Sequence, residues 1–143
     1  MPSSTASAQW EGGLKDGKGH FQAKSGAFKG DYSFATRFGD TPGTNPEELI
    51  AAAHAACFSM ALALGLEQAG TPATRISTSA TCRIEKVGDG FKITNMKLET
   101  RGVVKGIDQA TFQKAAEGAK AGCPVSRALQ GNLTMELDAK LEQ

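Results

Sequence analysis

From Leu49 to Leu66 the chain holds no Asp, Glu, Lys or Arg. No other feature limits its folding as severely, because a stretch that long and apolar must be covered by something. Its start signals are those of a helix. Asn45 can cap it, Pro46 takes the first helical position, and Glu48 stands three residues after the cap. Gly70 and Pro72 supply the stop, so the helix is expected to run to about Ala69. A membrane span is one way to cover it. The run is nevertheless largely Ala and carries His54, Ser59 and Gly65. Acidic residues adjoin both ends (Glu47, Glu48, Glu67), and no positive cluster marks a cytoplasmic side. A buried core helix fits better, with no membrane contact. It is apolar on every face, so one small sheet cannot cover it, and a second copy of the helix from another subunit is expected to complete its burial.

The rest of the chain narrows the setting. At 143 residues it is expected to form one domain, 1–143, large enough for a real core. Sixteen basic residues against fifteen acidic ones leave nothing to attract nucleic acid. Three cysteines are too few, and odd in number, for a secreted disulfide scaffold. Met1–Ser7 has neither the basic start nor the apolar stretch of a signal peptide. A reducing cytoplasm is expected, where a cysteine pair is more often catalytic or redox-sensing than structural.

Before the helix the pattern reads as strands at Ala8–Leu14 and Gly19–Lys24, joined by a turn at Asp16-Gly17, and a third strand at Tyr32–Phe38. After it, Ile76, Thr78, Ala80, Cys82 and Ile84 alternate with polar residues, giving a strand with one buried face. Gly88-Asp89-Gly90 turns into a partner strand from Phe91 to about Val104. Helices are expected from Asp108 to Ala121 and from Cys123 to about Leu129, and a last strand at Leu133–Leu141. The order β-β-β-α-β-β-α-α-β is an α+β arrangement.

The candidate chemistry lies in the thiols and their neighbours. Cys57 is in mid-helix, where the helix dipole has faded and apolar surroundings raise a thiol pKa, so reactivity there needs a nearby cation. Cys123 precedes Pro124 and is the natural N-cap of its helix, where free N–H groups favour a thiolate. Local physics alone makes Cys123 the more acidic of the two. Cys82 faces inward on its strand with no charge beside it and reads as packing. His54 lies three residues before Cys57 on the same face and could form a Cys–His dyad, although a histidine on an apolar helix is more often a core residue. His20 has no helical register with either thiol. Apart from His54–Cys57 no pair has metal-ligand spacing, so no metal is expected. Arg37, placed at the end of the third strand, could fold its guanidinium over the helix, and Glu47 has no capping task of its own.

Thr44-Asn45-Pro46-Glu47-Glu48-Leu49-Ile50, with Ala51-Ala52-Ala53-His54-Ala55-Ala56-Cys57-Phe58, resembles the central helix of the OsmC/Ohr family. Lys120-Ala121-Gly122-Cys123-Pro124-Val125-Ser126 and Trp10-Glu11-Gly12 extend the likeness over essentially the whole chain, nearer to the osmotically inducible branch than to the organic hydroperoxide resistance branch. The resemblance implies a thiol peroxidase of the oxidative and osmotic stress response. In it Cys57 is the peroxidatic thiol, Cys123 the resolving thiol, Arg37 the stabiliser of thiolate and peroxide, and Glu47 the residue that orients Arg37. It also implies an intertwined homodimer whose central helices are covered by sheets. No bound cofactor is implied; an external dithiol, of lipoyl type or carried on a lipoylated protein, resets the enzyme. Glu47 lies ten residues before Cys57, about 15 Å along a straight helix. The Arg37–Glu47 unit acting on a given Cys57 is therefore expected to include a residue from the partner chain. Two other readings stay open: a Cys57/His54 hydrolase, and a redox-sensing or ligand-binding dimer with little turnover.

Overall fold

The computed structural model of the protein describes residues 2–142. The chain divides into two compact units at Leu49/Ile50. The first contains strands β1 (Ala6–Glu11), β2 (Lys18–Ala23) and β3 (Lys29–Tyr32), which form an antiparallel meander in that order. Gly19, Phe21 and Ala23 form the buried face of β2. Trp10, Tyr32 and Phe21 form a chain of tilted rings, with centroids 5.5 Å and 5.7 Å apart. The β1–β2 connection is wider than a turn at Asp16-Gly17 requires, because Glu11 already pairs with Lys18. The Gly13 carbonyl accepts from the Gly17 N–H (2.8 Å) and from the Trp10 indole (3.2 Å), and both bonds hold the loop open.

The sequence reading placed a strand over Tyr32–Phe38. The strand instead ends at Tyr32 and helix α1 (Phe34–Phe38) follows. The observed order, β-β-β-α-α-β-β-α-α-β, thus has one helix more than expected. Ser33 starts it with a capping box: the Thr36 N–H donates to Ser33 Oγ (3.2 Å), and the Ser33 N–H donates to Thr36 Oγ1 (2.8 Å). Phe34 and Phe38, one turn apart, stack at 5.0 Å. Arg37 therefore sits in the last turn of a helix and not at a strand end.

Helix α2 (Pro46–Gln68) begins as read from the sequence, with Asn45 Oδ1 accepting from the Glu48 N–H at 2.8 Å. It stops in a Schellman motif. Gly70 takes φ +84°, the Gly70 N–H donates to the Glu67 carbonyl (2.9 Å), and the Thr71 N–H donates to the Leu66 carbonyl (2.9 Å). In the second unit α2 buries one stripe, Ala51, His54, Phe58, Leu62 and Leu66. The other side, which includes Ala53, Ala56, Met60 and Leu64, is exposed.

The stripe packs into a core built on strands β4 (Arg75–Val87), β5 (Gly90–Val103) and β6 (Thr134–Leu141) and helices α3 (Gln109–Gly122) and α4 (Pro124–Leu129). β5 is the central strand, antiparallel to β4 and parallel to β6. Met96, Leu98, Thr100 and Gly102 form its buried face. Gly102 is required there, since a Cβ at that position would lie 2.4 Å from Phe112 Cε1 of α3. Asp108 caps α3, with Oδ1 accepting from the Thr111 N–H at 2.8 Å. Hydrogen bonding to Thr111, hydroxyl first and then N–H, holds the Asp108 carboxyl below its ordinary pKa.

Candidate active site

Cys57 projects from the middle of α2, half-buried, onto the core cluster that contains Cys123. The two thiols are sixty-six positions apart in the sequence, yet the fold brings their side chains close enough for Cys123 to act on Cys57. No disulfide links them. Burial is the main force pushing the Cys57 thiol above its ordinary pKa. The Val125 backbone N–H opposes it, while the hydrogen bond and charge of Cys123 add to it. Packing within this chain therefore does not make Cys57 a thiolate, as its mid-helix position led us to expect.

Cys123 is fully buried and is the N-cap of α4, as read from its place before Pro124. Its Sγ accepts from the Ser126 N–H at 3.3 Å, and its thiol donates to Ser126 Oγ at 3.2 Å. Ser126 in turn lies 2.7 Å from His54 Nε2. His54, Ser126 and Cys123 thus form a buried hydrogen-bonded chain. The sequence reading missed Ser126; the sign available was its position three residues after the capping Cys123, where an N-cap side chain meets a backbone N–H. The same contact bears on the hydrolase reading, because the His54 nitrogen is engaged with Ser126. Burial lowers the His54 pKa, which favours the neutral ring.

Arg37 and Glu47 meet in the first unit. Arg37 Nε donates to Glu47 Oε1 at 2.9 Å and Nη2 to Oε2 at 3.0 Å, a bidentate fork. Glu47 is buried and Arg37 part-exposed. The Asn45 amide donates to the Thr36 carbonyl (3.3 Å), tying the cap of α2 to α1. The Arg37 guanidinium also lies 5.2 Å from the Phe38 ring centroid.

The remaining candidates lie elsewhere. Cys82 is half-buried on β4, opposite Met96 of β5. His20 pairs with Asp31 across β2 and β3 at 3.0 Å in an exposed position. Among the described residues no group of three or more His, Cys, Asp or Glu side chains could hold a metal ion.

Fold and site together define an α+β protein with two thiols held against each other in a core. Comparison with known proteins gives that class a family. The family model described as OsmC-like protein matches residues 38–138. Peroxiredoxin OsmC of Escherichia coli (strain K12) is 49% identical over 134 residues, 93% of this chain and 94% of that protein. The organic hydroperoxide resistance protein of Xanthomonas axonopodis pv. citri is 35% identical over 96 residues, 66% of each chain. Among solved structures, the organic hydroperoxide resistance protein OhrB of Bacillus subtilis aligns with a TM-score of 0.75 and 30% identity, over 95% of this chain and 98% of that one. The chain belongs to the OsmC family.

Proposed function

We propose that the protein is a cysteine-based, thiol-dependent peroxidase that reduces organic hydroperoxides as part of a cytoplasmic stress response. The observation that carries this reading is the direct contact of Cys57 and Cys123, two thiols brought together from α2 and the start of α4. The Cys57 thiolate attacks the distal oxygen of the peroxide. The O–O bond breaks, an alcohol leaves, and Cys57 becomes a sulfenic acid. The Cys123 sulfur then attacks the sulfur of Cys57, water leaves, and a disulfide protects the site from over-oxidation. An external dithiol, for which a lipoyl-type carrier is our candidate, exchanges with the disulfide and restores both thiols.

Burial disfavours the Cys57 thiolate, so the reaction needs a cation, and Arg37 is the one we assign. Glu47 holds the guanidinium by two charge-assisted bonds and fixes its plane. That pair forms within one chain, and the run of α2 from Glu47 to Cys57 is long. We therefore assign the Arg37–Glu47 pair serving a given Cys57 to the partner chain of a homodimer. The dimer also accounts for the exposed apolar side of α2, where Met60 is 75% and Leu64 52% exposed. By length and composition alone α2 could cross a membrane, with 28% of its eighteen-residue apolar window buried. Its acidic flanks and the family's peroxidases favour burial against a second subunit.

The direct test is peroxide consumption with dihydrolipoamide or thioredoxin as reductant, comparing an alkyl hydroperoxide with hydrogen peroxide. Sustained turnover of the alkyl hydroperoxide is expected with dihydrolipoamide. Disulfide formation without sustained turnover on either reductant favours a redox sensor instead.

A further inference from the structure

A histidine fully buried among Phe58, Leu62 and Leu66 on the same helix stripe needs a reason to be there. A residue kept only for packing would be apolar. His54 is instead held with Nδ1 buried and without a hydrogen-bond partner among the described residues. Leaving a buried polar atom unsatisfied is costly, so such an orphan in a core asks for an explanation. Its other nitrogen supplies one. Nε2 is 2.7 Å from Ser126 Oγ, and Ser126 Oγ accepts from the Cys123 thiol at 3.2 Å. The chain thiol–hydroxyl–imidazole is closed to solvent, since Cys123, Ser126 and His54 are all buried. A buried thiol that must become a nucleophile has to lose its proton to something, and the hydrogen bond that the Cys123 thiol donates leads through Ser126 to His54.

We propose that Ser126 and His54 form a proton relay that activates Cys123 for disulfide formation. The inference rests on Cys57 and Cys123 being the peroxidatic and resolving thiols. In the resolving step the Cys123 S–H gives its proton to Ser126 Oγ while the Ser126 hydroxyl gives its own to His54 Nε2. The Cys123 sulfur attacks the sulfenic sulfur of Cys57, the S–S bond forms, and the S–O bond breaks. The departing hydroxide takes the proton back from the imidazolium and leaves as water. No oxidant or reductant is needed beyond the sulfenic acid itself. Burial keeps the resting imidazole neutral and able to accept. The unpaired Nδ1 makes the buried imidazolium short-lived, which suits a group that must return its proton within the same step. Ser126 is the catalytic contact here, since it touches the reacting sulfur; His54 acts through it.

The relay separates the two halves of the cycle, and the test reads them separately. The reduced enzyme is mixed with one equivalent of an alkyl hydroperoxide. Peroxide loss reports oxidation of Cys57, and quenched samples report the Cys57–Cys123 disulfide and the dimedone-trapped sulfenic acid. In Ser126→Ala and in His54→Gln the disulfide phase is expected to slow by about a hundredfold, the usual scale of general acid–base help. Sulfenic acid should accumulate while peroxide loss changes far less. Ser126→Thr, which restores a hydroxyl, should recover most of the disulfide rate. A solvent deuterium isotope effect on the disulfide phase of the parent should fall in both relay variants, a change that loosened packing does not produce. Thermal melts identify a variant that has lost its fold, and the Ala/Thr pair at Ser126 decides the matter if His54→Gln does not fold. An unchanged disulfide phase in Ser126→Ala, or one slowed no more than peroxide loss, overturns the relay and leaves the peroxidase assignment intact. Peroxide loss that survives Cys57→Ser overturns that assignment instead.

Discussion

In the reaction we propose, Cys57 carries the chemistry against the preference of its own surroundings, and the sign of that conflict can be measured. Burial raises its pKa, and in the proposed site the Arg37 guanidinium is the cation that offsets it. Arg37→Met is expected to move the pH midpoint of Cys57 alkylation by iodoacetamide upward, and an unmoved midpoint removes Arg37 from the site. Glu47→Gln keeps the side chain's size but removes its charge and replaces one accepting oxygen with an NH2 donor, so one of the two bonds from Arg37 is lost. A charge-assisted bond is worth about 1.5–3 kcal/mol, so kcat/KM for the peroxide should fall by about ten- to a hundredfold. At this scale the sequence offered candidates and not contacts. Cys57, Cys123, Arg37 and Glu47 could be named as candidates from their motifs. Local physics still ranked Cys123 as the more reactive thiol, because nothing in the spacing says that the two sulfurs meet. Ser126 was invisible because it links Cys123, three residues away, to His54, seventy-two residues away.

The elements were legible where their ends carry caps. Asn45 and Cys123 cap the helices that their positions implied, and Asp108, read as the first residue of its helix, is the cap of α3. Asn45→Ala should cost about 1 kcal/mol and lower the melting temperature by about 2–4 °C. The reading failed between Tyr32 and Phe38 for a physical reason. Tyr32, Phe34 and Thr36 alternate as a strand does, yet Phe34 and Phe38 are also one helical turn apart, and the Ser33–Thr36 capping box decides for the helix. A capping box with Thr in place of Glu or Gln is a weaker signature, and the alternation outweighed it. Gly102 gives a second test at this scale. Its backbone lies so close to Phe112 that Gly102→Ala forces the ring to move, and a loss of about 1–3 kcal/mol in chemical denaturation is expected.

For the whole molecule the question is what covers the long apolar helix with which the sequence begins its constraints. In the second unit α2 buries one stripe and leaves Met60 and Leu64 open, so a second copy of the chain is the partner we assign. Met60→Glu should shift the sedimentation mass toward the monomer and weaken peroxidase activity in parallel. Shared sites allow a sharper check. If the Arg37–Glu47 pair serves the partner's thiol, mixing inactive Cys57→Ser and inactive Arg37→Met subunits should restore activity, since one site of each mixed dimer then has both groups. No recovery in demonstrably mixed dimers would place all of the machinery in one chain. Both outcomes depend on the claim beneath them, that Cys57 takes the oxygen and Cys123 closes the cycle. The measurement that tests it most directly is peptide mapping after one equivalent of alkyl hydroperoxide, run on the parent and on both cysteine variants. A Cys57–Cys123 disulfide is expected in the parent, a trapped sulfenic acid on Cys57 in Cys123→Ser, and no peroxide loss in Cys57→Ser. Peroxide loss in Cys57→Ser, or a disulfide that maps to Cys82, would contradict it.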